Sequence, residues 1–317
     1  MKALVLFSGG LDSLLAVKIL KKQNIKVIAL CFISAFFDDQ KAQKIAKDQN
    51  INLITENISH PHFQVIKKPQ YGYGKNMNPC LDCHGFMLKR AKIFAKKNNI
   101  PIIATGEVLG QRPMSQNLNA LKTIEKIANL KNKVLRPLSA LKLPETDYET
   151  TGIIQRELLE GIVGKSRKPQ NLLAHKFQIE KFIGSGGGCK LTTIEFSHKL
   201  KNILKNYPKV NYNIAPFLQI GRHFWFDQTL VIFARNADDA QLMQKHKKPE
   251  HGFIKMKNIQ GPHALVLFTN KKNLENLKLK IAQKILEFKK NIKESQIEFI
   301  LEFKNKFYFF DIIANSI

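Results

Sequence analysis

Short apolar runs alternate with helical patterns through the first half of the chain, and this alternation limits the folds open to it. Four runs predict buried parallel strands, at residues 3–7, 26–32, 52–56 and 102–105. A helical pattern follows each run, at residues 13–22, 39–50, 81–97 and 116–129. A short fifth strand is predicted near residues 134–135. This order predicts an α/β fold with a doubly wound parallel sheet, whose ligands bind at the carboxyl ends of the strands.

The second half of the chain has a different, β-rich pattern. Strands are predicted at residues 217–226, 229–234, 252–257 and 264–269, a helix at 273–290, and a hairpin at 297–303 and 307–313. Before it lie a polar, basic stretch (161–170) that resembles a linker, a glycine run (184–188) and a helix at 194–205. We therefore predict a catalytic α/β domain at 1–160, a connecting segment at 161–206, and a smaller α+β domain at 207–317.

The charge of the chain predicts a polyanionic partner. It contains 51 Lys and Arg against 25 Asp and Glu, a formal net charge of +26 that is spread along both halves. Such a positive field attracts RNA through counterion release. A genome that favours lysine is the alternative explanation, but it does not account for the shortage of acidic residues.

The sequence indicates a protein of the cytoplasm. No apolar run approaches the roughly 18 residues of a membrane span, and the first strand begins at Lys2, which leaves no room for a signal peptide. Four cysteines without a secretory signal argue against a disulfide framework. We expect Cys31, on an apolar strand, to lie in the core.

The segment Ser8-Gly9-Gly10-Leu11-Asp12-Ser13 joins the first strand to the first helix. Two glycines let backbone N–H groups close on an anion, and the helix N-terminus adds partial positive charge. Ser8 and Ser13 add hydroxyl donors, and Asp12 can cap the helix or help to hold Mg²⁺. The segment resembles the signature of the PP-loop family, which has a sheet of the HUP type. The resemblance implies cleavage of ATP between its α and β phosphates, with adenylation of a carbonyl oxygen.

A second segment identifies a branch of that family. The sequence T-G-E-V-L-G-Q-R-P-M-S-Q at residues 105–116, followed by R-P-L at 136–138, resembles segments of tRNA 4-thiouridine synthases. The resemblance places Thr105, Gly106, Gln111 and Arg136 at the adenylate site. Backbone at the strand end would approach the nucleotide, and Arg136 would neutralise a phosphate.

Three cysteines suggest sulfur chemistry. Asn78-Pro79-Cys80-Leu81-Asp82-Cys83-His84 resembles the N-P-C-x-x-C segment of cysteine-bearing tRNA thiolases, and Cys189 follows the glycine run. By analogy, Cys80, Cys83 and Cys189 hold a 4Fe-4S cluster with one iron free to bind sulfide. Alternatively, one cysteine carries a persulfide that a partner cysteine resolves. Zinc, with His84 as fourth ligand, is a third option. C-x-x-C-H is also a haem-attachment pattern, which we reject because no export signal is present.

Residues 59–79 are predicted to form a long loop. Its His60, His62, Tyr71 and Tyr73 are either RNA contacts or, more simply, solvated loop residues.

The C-terminal segments G-R-H-F (221–224), A-R-N (234–236) and G-P-H (261–263) resemble the NFACT-type RNA-binding domain. Ala234 stands where that domain usually has glycine. The resemblance implies that Arg222, His223 and Arg235 donate to phosphates, and that Phe224 or Trp225 stacks on a base. The structural alternative is a small β domain whose aromatic residues fill its own core.

Taken together, the resemblances predict a tRNA sulfurtransferase. Its expected cofactors are ATP, Mg²⁺ and the 4Fe-4S cluster. Its expected partners are tRNA and a sulfide or persulfide donor, and its expected product is 4-thiouridine at tRNA position 8. Asp12 and the three cysteines are the expected catalytic residues. Three alternatives stay open: 2-thiouridine at position 34, an amide-forming PP-loop ligase, and an RNA-binding protein with a non-catalytic ATP site. A homodimer is compatible with the sequence, which leaves the oligomeric state open.

Overall fold

The computed structural model describes residues 1–179, 182, 189–289 and 295–313. The glycine run 184–188, predicted to be a break, lies outside the described residues. The chain divides into two units, Met1–His198 and Lys199–Ile317. The predicted connecting segment thus lies in the first unit up to residue 198.

The first unit contains four strands and seven helices within its described part, and an eighth helix crosses the boundary. The strands are β1 Lys2–Leu6, β2 Lys26–Ile33, β3 Leu53–Asn57 and β4 Ile102–Thr105. The helices are α1 Leu11–Lys22, α2 Gln40–Asp48, α3 Ser59–Lys67, α4 Cys80–Lys97, α5 Leu118–Ala128, α6 Asp147–Thr150, α7 Lys168–Lys176 and α8 Ile194–Asn206. Short 3₁₀ helices lie at Ala140–Lys142, Arg156–Leu158 and Lys190–Thr192.

The four strands form one parallel sheet in the order β3-β2-β1-β4. Alternate residues of β1 enter different cores: Ala3 and Val5 pack with α1, whereas Leu4 packs with α4 and α5. Helices therefore cover both faces, and the predicted doubly wound α/β fold is confirmed. The expected fifth strand is reduced to a single parallel bridge between Ala104 and Leu135.

Two segments of the first unit were predicted wrongly. Residues 59–79 do not form a loop throughout, because α3 occupies the first nine of them. Residues 161–170 are not a free linker. Val163 pairs with Leu109, the Gly164 N–H donates to the Leu109 carbonyl (2.8 Å), and α7 begins at Lys168. The composition of a polar, basic stretch resembles that of a linker even when its backbone is paired.

The second unit contains an antiparallel sheet of six strands in the order β10-β9-β7-β8-β6-β5. The strands are β5 Arg222–Phe226, β6 Thr229–Phe233, β7 Gly252–Met256, β8 Ala264–Leu267, β9 Gln296–Phe303 and β10 Lys306–Ile313. The helices are α9 Ala237–His246 and α10 Lys271–Phe288.

One face of this sheet packs on α10 through residues such as Ile281, Ile285, Phe299 and Leu301. The predicted smaller α+β domain is confirmed as a fold. Two details were wrong: residues 212–219 form a 3₁₀ helix where a strand was predicted to begin at 217, and α9 was not predicted.

No helix within the described ranges has both the length and the apolar character needed to cross a membrane.

Replacing Leu14 with alanine should destabilise the first unit. Leu14 is fully buried between the sheet and its helices, so Leu14→Ala should lower the free energy of unfolding by about 2–5 kcal/mol. Urea denaturation followed by circular dichroism measures this change. Leu172→Ala is the control, because Leu172 is 71% exposed and its loss should cost less than about 0.5 kcal/mol. Equal effects of the two substitutions would contradict the assigned core.

Candidate functional site

The turn between β1 and α1 has the geometry of a phosphate-binding loop. Gly9 has a φ of +73°, and a Cβ there would lie 2.6 Å from the backbone of Lys41 and Ala42, so only glycine fits. Ser8 is exposed at the mouth of the loop, whereas Ser13 is buried and its hydroxyl donates to the Gly10 carbonyl (2.9 Å). The loop can therefore present backbone N–H groups and the first turn of α1 to an anion.

The carboxyl end of β4 lies directly against this loop. A Cβ on Gly106 would come within 2.5 Å of the Ser13 nitrogen and 2.7 Å of the Asp12 carbonyl oxygen. Thr105, before it, is buried and its hydroxyl donates to Glu107 (3.1 Å). Thr105 and Gly106, both predicted at the adenylate site, are thus brought to the phosphate loop.

Glu107 is the centre of a buried ion network. Arg136 Nε donates to its Oε2 (3.0 Å), and His84 Nδ1 lies 3.0 Å from its Oε1. A carboxylate only accepts hydrogen bonds, so Nδ1 of His84 carries a proton. Burial alone would raise the pKa of Glu107, but the charge of Arg136 and the hydrogen bond and charge of His84 outweigh it and lower the pKa to about 2. Glu107 therefore stays ionised and connects the β4 end to the cysteine helix α4.

Arg136 differs from its expected role. It is 4% exposed, and it donates to Glu125 as well as to Glu107. Its charge is already balanced by two carboxylates, so a phosphate would have to displace one of them. Its third nitrogen, Nη2, is buried without a hydrogen-bond partner among the described residues.

Asp12 is held from two sides. Arg167 Nη1 donates to its two oxygens at 2.7 and 2.8 Å, and Gln111 Nε2 donates to Oδ2 at 2.9 Å. Gln170, fully buried on α7, donates in turn to Gln111 (2.9 Å). Three hydrogen bonds leave one of the carboxylate's four lone-pair sites open. This fits the usual Mg²⁺ arrangement, in which one or two carboxylates act together with substrate phosphates.

Cys80 and Cys83 lie at the beginning of α4. Cys80 is partly exposed and accepts a hydrogen bond from Asn78 Nδ2 (3.3 Å), whereas Cys83 is buried. The Asp82 carboxylate between them accepts the backbone N–H groups of Gln70 and Tyr71, which fixes the loop before the helix.

The segment after the glycine run brings Cys189 to this helix. The Lys190 N–H donates to the Phe36 carbonyl (3.1 Å), and Asn76 Nδ2 donates to the Thr192 carbonyl (2.6 Å). The ring of Phe196 packs edge-on against Phe36 at 5.8 Å. These contacts place Cys189 beside the C-x-x-C pair, although the three cysteines come from distant parts of the chain.

The thiols are close enough to change each other's ionisation. Burial, then Cys189, Cys80 and Asp82, raise the pKa of Cys83 well above its usual value. Burial also raises the pKa of Cys189, to about 11. A hydrogen bond to the Leu191 backbone lowers the pKa of Cys189, the charge of Cys80 raises it, and the charge of Arg112 lowers it. Thiolates at this place therefore need a compensating positive charge, which a bound metal centre provides.

Cys80, Cys83 and Cys189 are the candidate ligands of the predicted iron–sulfur cluster. Among the described residues, no group of three or more His, Cys, Asp or Glu side chains that could hold a metal ion is found. A cubane binds its thiolates at separate iron atoms, so its ligands are spread over several corners. The 4Fe-4S cluster stays a prediction.

His62 was predicted wrongly. It lies on α3, is fully buried, and its Nε2 is 3.1 Å from Cys83 Sγ. Burial lowers its pKa to about 4, so the ring is neutral at pH 7. The rings of Phe36, Phe37 and Phe86 surround it at 5.3–6.2 Å. His62 therefore supports the cysteine site and cannot contact RNA.

The predicted RNA-binding residues of the second unit differ in their availability. Arg222 is exposed, with its guanidinium 5.0 Å from the Phe288 ring. Arg235 pairs with Asp239 (2.7 Å) and also donates to the Gln219 carbonyl. Both arginines lie at the same end of the β5–β6 pair, because Arg222 is opposite Phe233.

His223 and Phe224 are directed into the unit. His223 Nε2 lies 3.0 Å from the Phe217 carbonyl oxygen. Phe224 packs against Phe233 (5.4 Å) and Phe288 (5.9 Å) in the core, and Trp225 stacks against Tyr207 at 6.3 Å. The Phe224 ring meets these two rings at interplanar angles of 85° and 51°, so its packing in the unit disfavours base stacking, which stays a prediction.

The sequence analysis did not single out three residues of the first unit that take part in the site, Glu107, Arg112 and Arg167. It named His62 but did not foresee that this residue is buried. Glu107 lies inside the T-G-E segment, and its acidic side chain beside a strand end was a usable signal. Arg167 lay in a stretch assigned to a linker. Only the fold reveals its contact with Asp12.

Comparisons with known proteins identify relatives of the first part of the chain. Residues 1–145 match the family described as Thiamine biosynthesis protein (ThiI). A probable tRNA sulfurtransferase of Finegoldia magna is 31% identical over 145 residues, which are 44% of this chain and 36% of that protein. A probable tRNA sulfurtransferase of Ureaplasma urealyticum is 33% identical over 143 residues, which are 43% of this chain and 36% of that protein. The chain thus spans about a third of the length of these relatives.

Two solved structures are also similar. One is a predicted subunit of tRNA methyltransferase from Methanocaldococcus jannaschii, at 19% identity and a TM-score of 0.38, covering 66% of this chain and 88% of that one. The other is a 4-thiouridine synthetase–RNA complex with bound ATP, at 19% identity and a TM-score of 0.38, covering 69% and 52%. Both TM-scores are below 0.5, so the fold rests on this chain's own strands and helices.

Replacing Glu107 with glutamine should destabilise the first unit in a pH-dependent way. The pKa of Glu107 is lowered when folded, so its contribution is complete above the unfolded value of about 4.3 and is lost as pH falls through about 2. Glu107→Gln should cost about 3–5 kcal/mol at neutral pH, because Arg136 loses a buried partner. Urea denaturation between about pH 2 and pH 7 measures the difference from the wild type.

Glu56→Gln is the matched control. Glu56 pairs with Arg90 in a more exposed place, so its loss should cost less than about 1 kcal/mol. A Glu107→Gln effect that stays constant down to about pH 2 would contradict the ionised network.

Cys189 should react slowly with iodoacetamide in metal-free protein. Its pKa of about 11 keeps the thiol protonated, so the rate should rise about tenfold per pH unit between about pH 8 and pH 10. Mass spectrometry of the Cys189 peptide measures this rate, and Cys189→Ser gives the background. A plateau near pH 9 would show an ordinary thiol and contradict the assigned environment.

Proposed function

We propose that this chain, whose first 145 residues carry a ThiI-type PP-loop domain, is an ATP-dependent tRNA sulfurtransferase. It adenylates a uridine carbonyl oxygen and replaces that oxygen with sulfur. The observation that carries the proposal is the convergence, within one unit, of a phosphate loop and three thiols. Gly106 contacts the loop, and Glu107 next to it contacts His84 on the cysteine helix.

ATP is assigned to the loop of Ser8, Gly9, Gly10, Leu11, Asp12 and Ser13. Backbone N–H groups and the start of α1 face the phosphates, and Asp12 helps to hold Mg²⁺. Leu11 is buried, so only its backbone contributes. Thr105 and Gly106 close the site at the end of β4, and Gln111 orients Asp12. We assign Arg136 to the positioning of Glu107 rather than to a phosphate.

The chemistry solves a leaving-group problem. The carbonyl oxygen of uracil leaves poorly, but as an adenylate it departs with AMP. The oxygen attacks the α-phosphate, the bond to the β-phosphate breaks, and pyrophosphate leaves with the electron pair. Preorganised backbone donors stabilise the charge that develops on the phosphate oxygens.

Sulfur is assigned to the site of Cys80, Cys83 and Cys189. A 4Fe-4S cluster on these thiolates would supply an iron atom without a protein ligand, at which sulfide from a donor binds. Asn78 orients Cys80, and His62 packs against Cys83 and helps to exclude water. A persulfide on one of these cysteines is the alternative carrier, and it needs one further cysteine of the three nearby to resolve the disulfide.

The substrate is proposed to be tRNA. The net charge of +26 favours a polyanion, and both curated relatives are named as probable tRNA sulfurtransferases. In the second unit, which we propose to be an NFACT-type RNA-binding domain, Arg222 and Arg235 are the proposed phosphate contacts. The Gly110–Gln116 resemblance favours 4-thiouridine at position 8 over 2-thiouridine at position 34.

Thiolation of tRNA by the purified protein tests the proposal. With ATP, Mg²⁺ and sulfide under anaerobic conditions, the wild type should form thiouridine, measured by nucleoside mass spectrometry. Cys80→Ser, Cys83→Ser and Cys189→Ser should each lower the rate on the order of 1000-fold. If the site holds a cluster, the three variants should also lose iron and visible absorbance, measured on the same samples. A persulfide carrier would require a persulfide donor in place of sulfide, because sulfide alone cannot form a persulfide without an oxidant, and the variants would then have the same iron content as the wild type.

Cys31→Ala is the matched control, because Cys31 lies in the core on β2 and burial raises its pKa to about 12. It should retain thiolation. Pyrophosphate release that depends on ammonia or glutamine and not on tRNA would instead indicate an amide-forming ligase. RNA binding without any ATP turnover would indicate a binding protein.

A further inference from the structure

A basic segment contacts the phosphate loop through one of its side chains. It comprises residues 164–168 and contains Lys165, Arg167 and Lys168. Its first residue, Gly164, donates its N–H to the Leu109 carbonyl, and Ile162 just before the segment donates to the Leu138 carbonyl, both at 2.8 Å. The segment is therefore positioned by the same part of the fold that closes the nucleotide site.

Arg167 is the member of this segment that reaches the loop. Its guanidinium donates to both oxygens of Asp12, which lies in the first turn of α1. Phosphates bind at helix N-termini of this kind. The guanidinium is therefore within a side chain's reach of the place where the phosphates of ATP would lie, and the Arg167 side chain is 34% exposed.

The pairing also has an electrostatic consequence. An unbalanced carboxylate in the first turn of α1 would repel phosphates, and Arg167 offsets that charge. Asp12 would be a ligand of a Mg²⁺ ion bound with ATP, and the cation would replace the guanidinium as the partner of the carboxylate. Arg167 could then pair with a phosphate through two parallel hydrogen bonds.

We propose that Arg167 binds the β- and γ-phosphates of ATP and neutralises the leaving pyrophosphate. This inference rests on the ATP cleavage proposed above and adds a phosphate-contacting residue to it. As the uridine oxygen forms its bond to the α-phosphorus, the bond from that phosphorus to the bridging oxygen breaks. The electron pair stays on pyrophosphate, and Arg167 remains protonated and offsets the added charge.

A purely structural role is the competing explanation. Arg167 is the residue before α7, which packs on α1 through Leu173 and Ala174, so its ion pair also ties the two helices together. Loss of Arg167 would then weaken phosphate binding only indirectly, by leaving the charge of Asp12 uncancelled. The two explanations predict different effects of losing Arg167 when Asp12 carries no charge.

A double-mutant cycle separates them. Pyrophosphate binding is measured by calorimetry in the presence of Mg²⁺, with the wild type, R167M, D12N and the R167M/D12N double variant. If Arg167 contacts pyrophosphate, R167M should weaken binding about 10- to 100-fold in both backgrounds. If Arg167 only neutralises Asp12, R167M should have no effect in the D12N background, and this result would overturn the proposal.

Two further variants and a folding control complete the experiment. K176M removes a positive charge from the other end of α7 and should bind pyrophosphate like the wild type. R167K keeps the charge without the planar guanidinium and should show an intermediate loss. Circular dichroism melting of each variant establishes that it is folded, and ATP titration of the same variants should give the same ranking.

The outcome for Arg167 is distinguishable from that of the proposed function. A wild type that binds neither ATP nor pyrophosphate would refute both. In another outcome, the wild type binds both ligands and R167M weakens binding, but no thiouridine forms. That result would support the Arg167 assignment and refute sulfur transfer.

Discussion

The close approach of β4 to the phosphate loop is the constraint on which the rest of the site depends. Gly106 lies so near to Asp12 and Ser13 that no side chain fits between them. The next residue, Glu107, therefore lies beside the nucleotide site while it holds His84 of the cysteine helix. One glycine thus allows the end of β4, and through Glu107 the cysteine helix, to lie close to the loop between β1 and α1.

The carboxylates near the candidate site of the first unit are paired with cationic side chains. Glu107 is paired with Arg136 and His84, and Asp12 is paired with Arg167. Burial of unpaired charges would be costly, so both of these carboxylates have a cationic partner. Burial also raises the pKa of the Cys83 and Cys189 thiols, which favours their neutral form.

Much of the fold could be predicted because it follows from local patterns. The four parallel strands were predicted to within one or two residues, since apolar runs of that length are typical of strands buried on both faces. The helix α3 was missed because the prolines and glycines in residues 59–79 suggested a loop. Its buried face is specified by partners such as Phe36 and Phe86, which are distant in sequence.

By itself, the sequence predicted the parallel sheet, the phosphate loop at the end of its first strand, and which three cysteines are candidates for the sulfur site. Spacing and residue type are sufficient for these features, because each is encoded within a few neighbouring residues. Only the tertiary structure decided that Arg167 contacts Asp12, that His62 is buried against Cys83, and that Phe224 faces the core. These depend on which distant segments pack together, and packing is settled by the burial of the whole chain rather than by any motif.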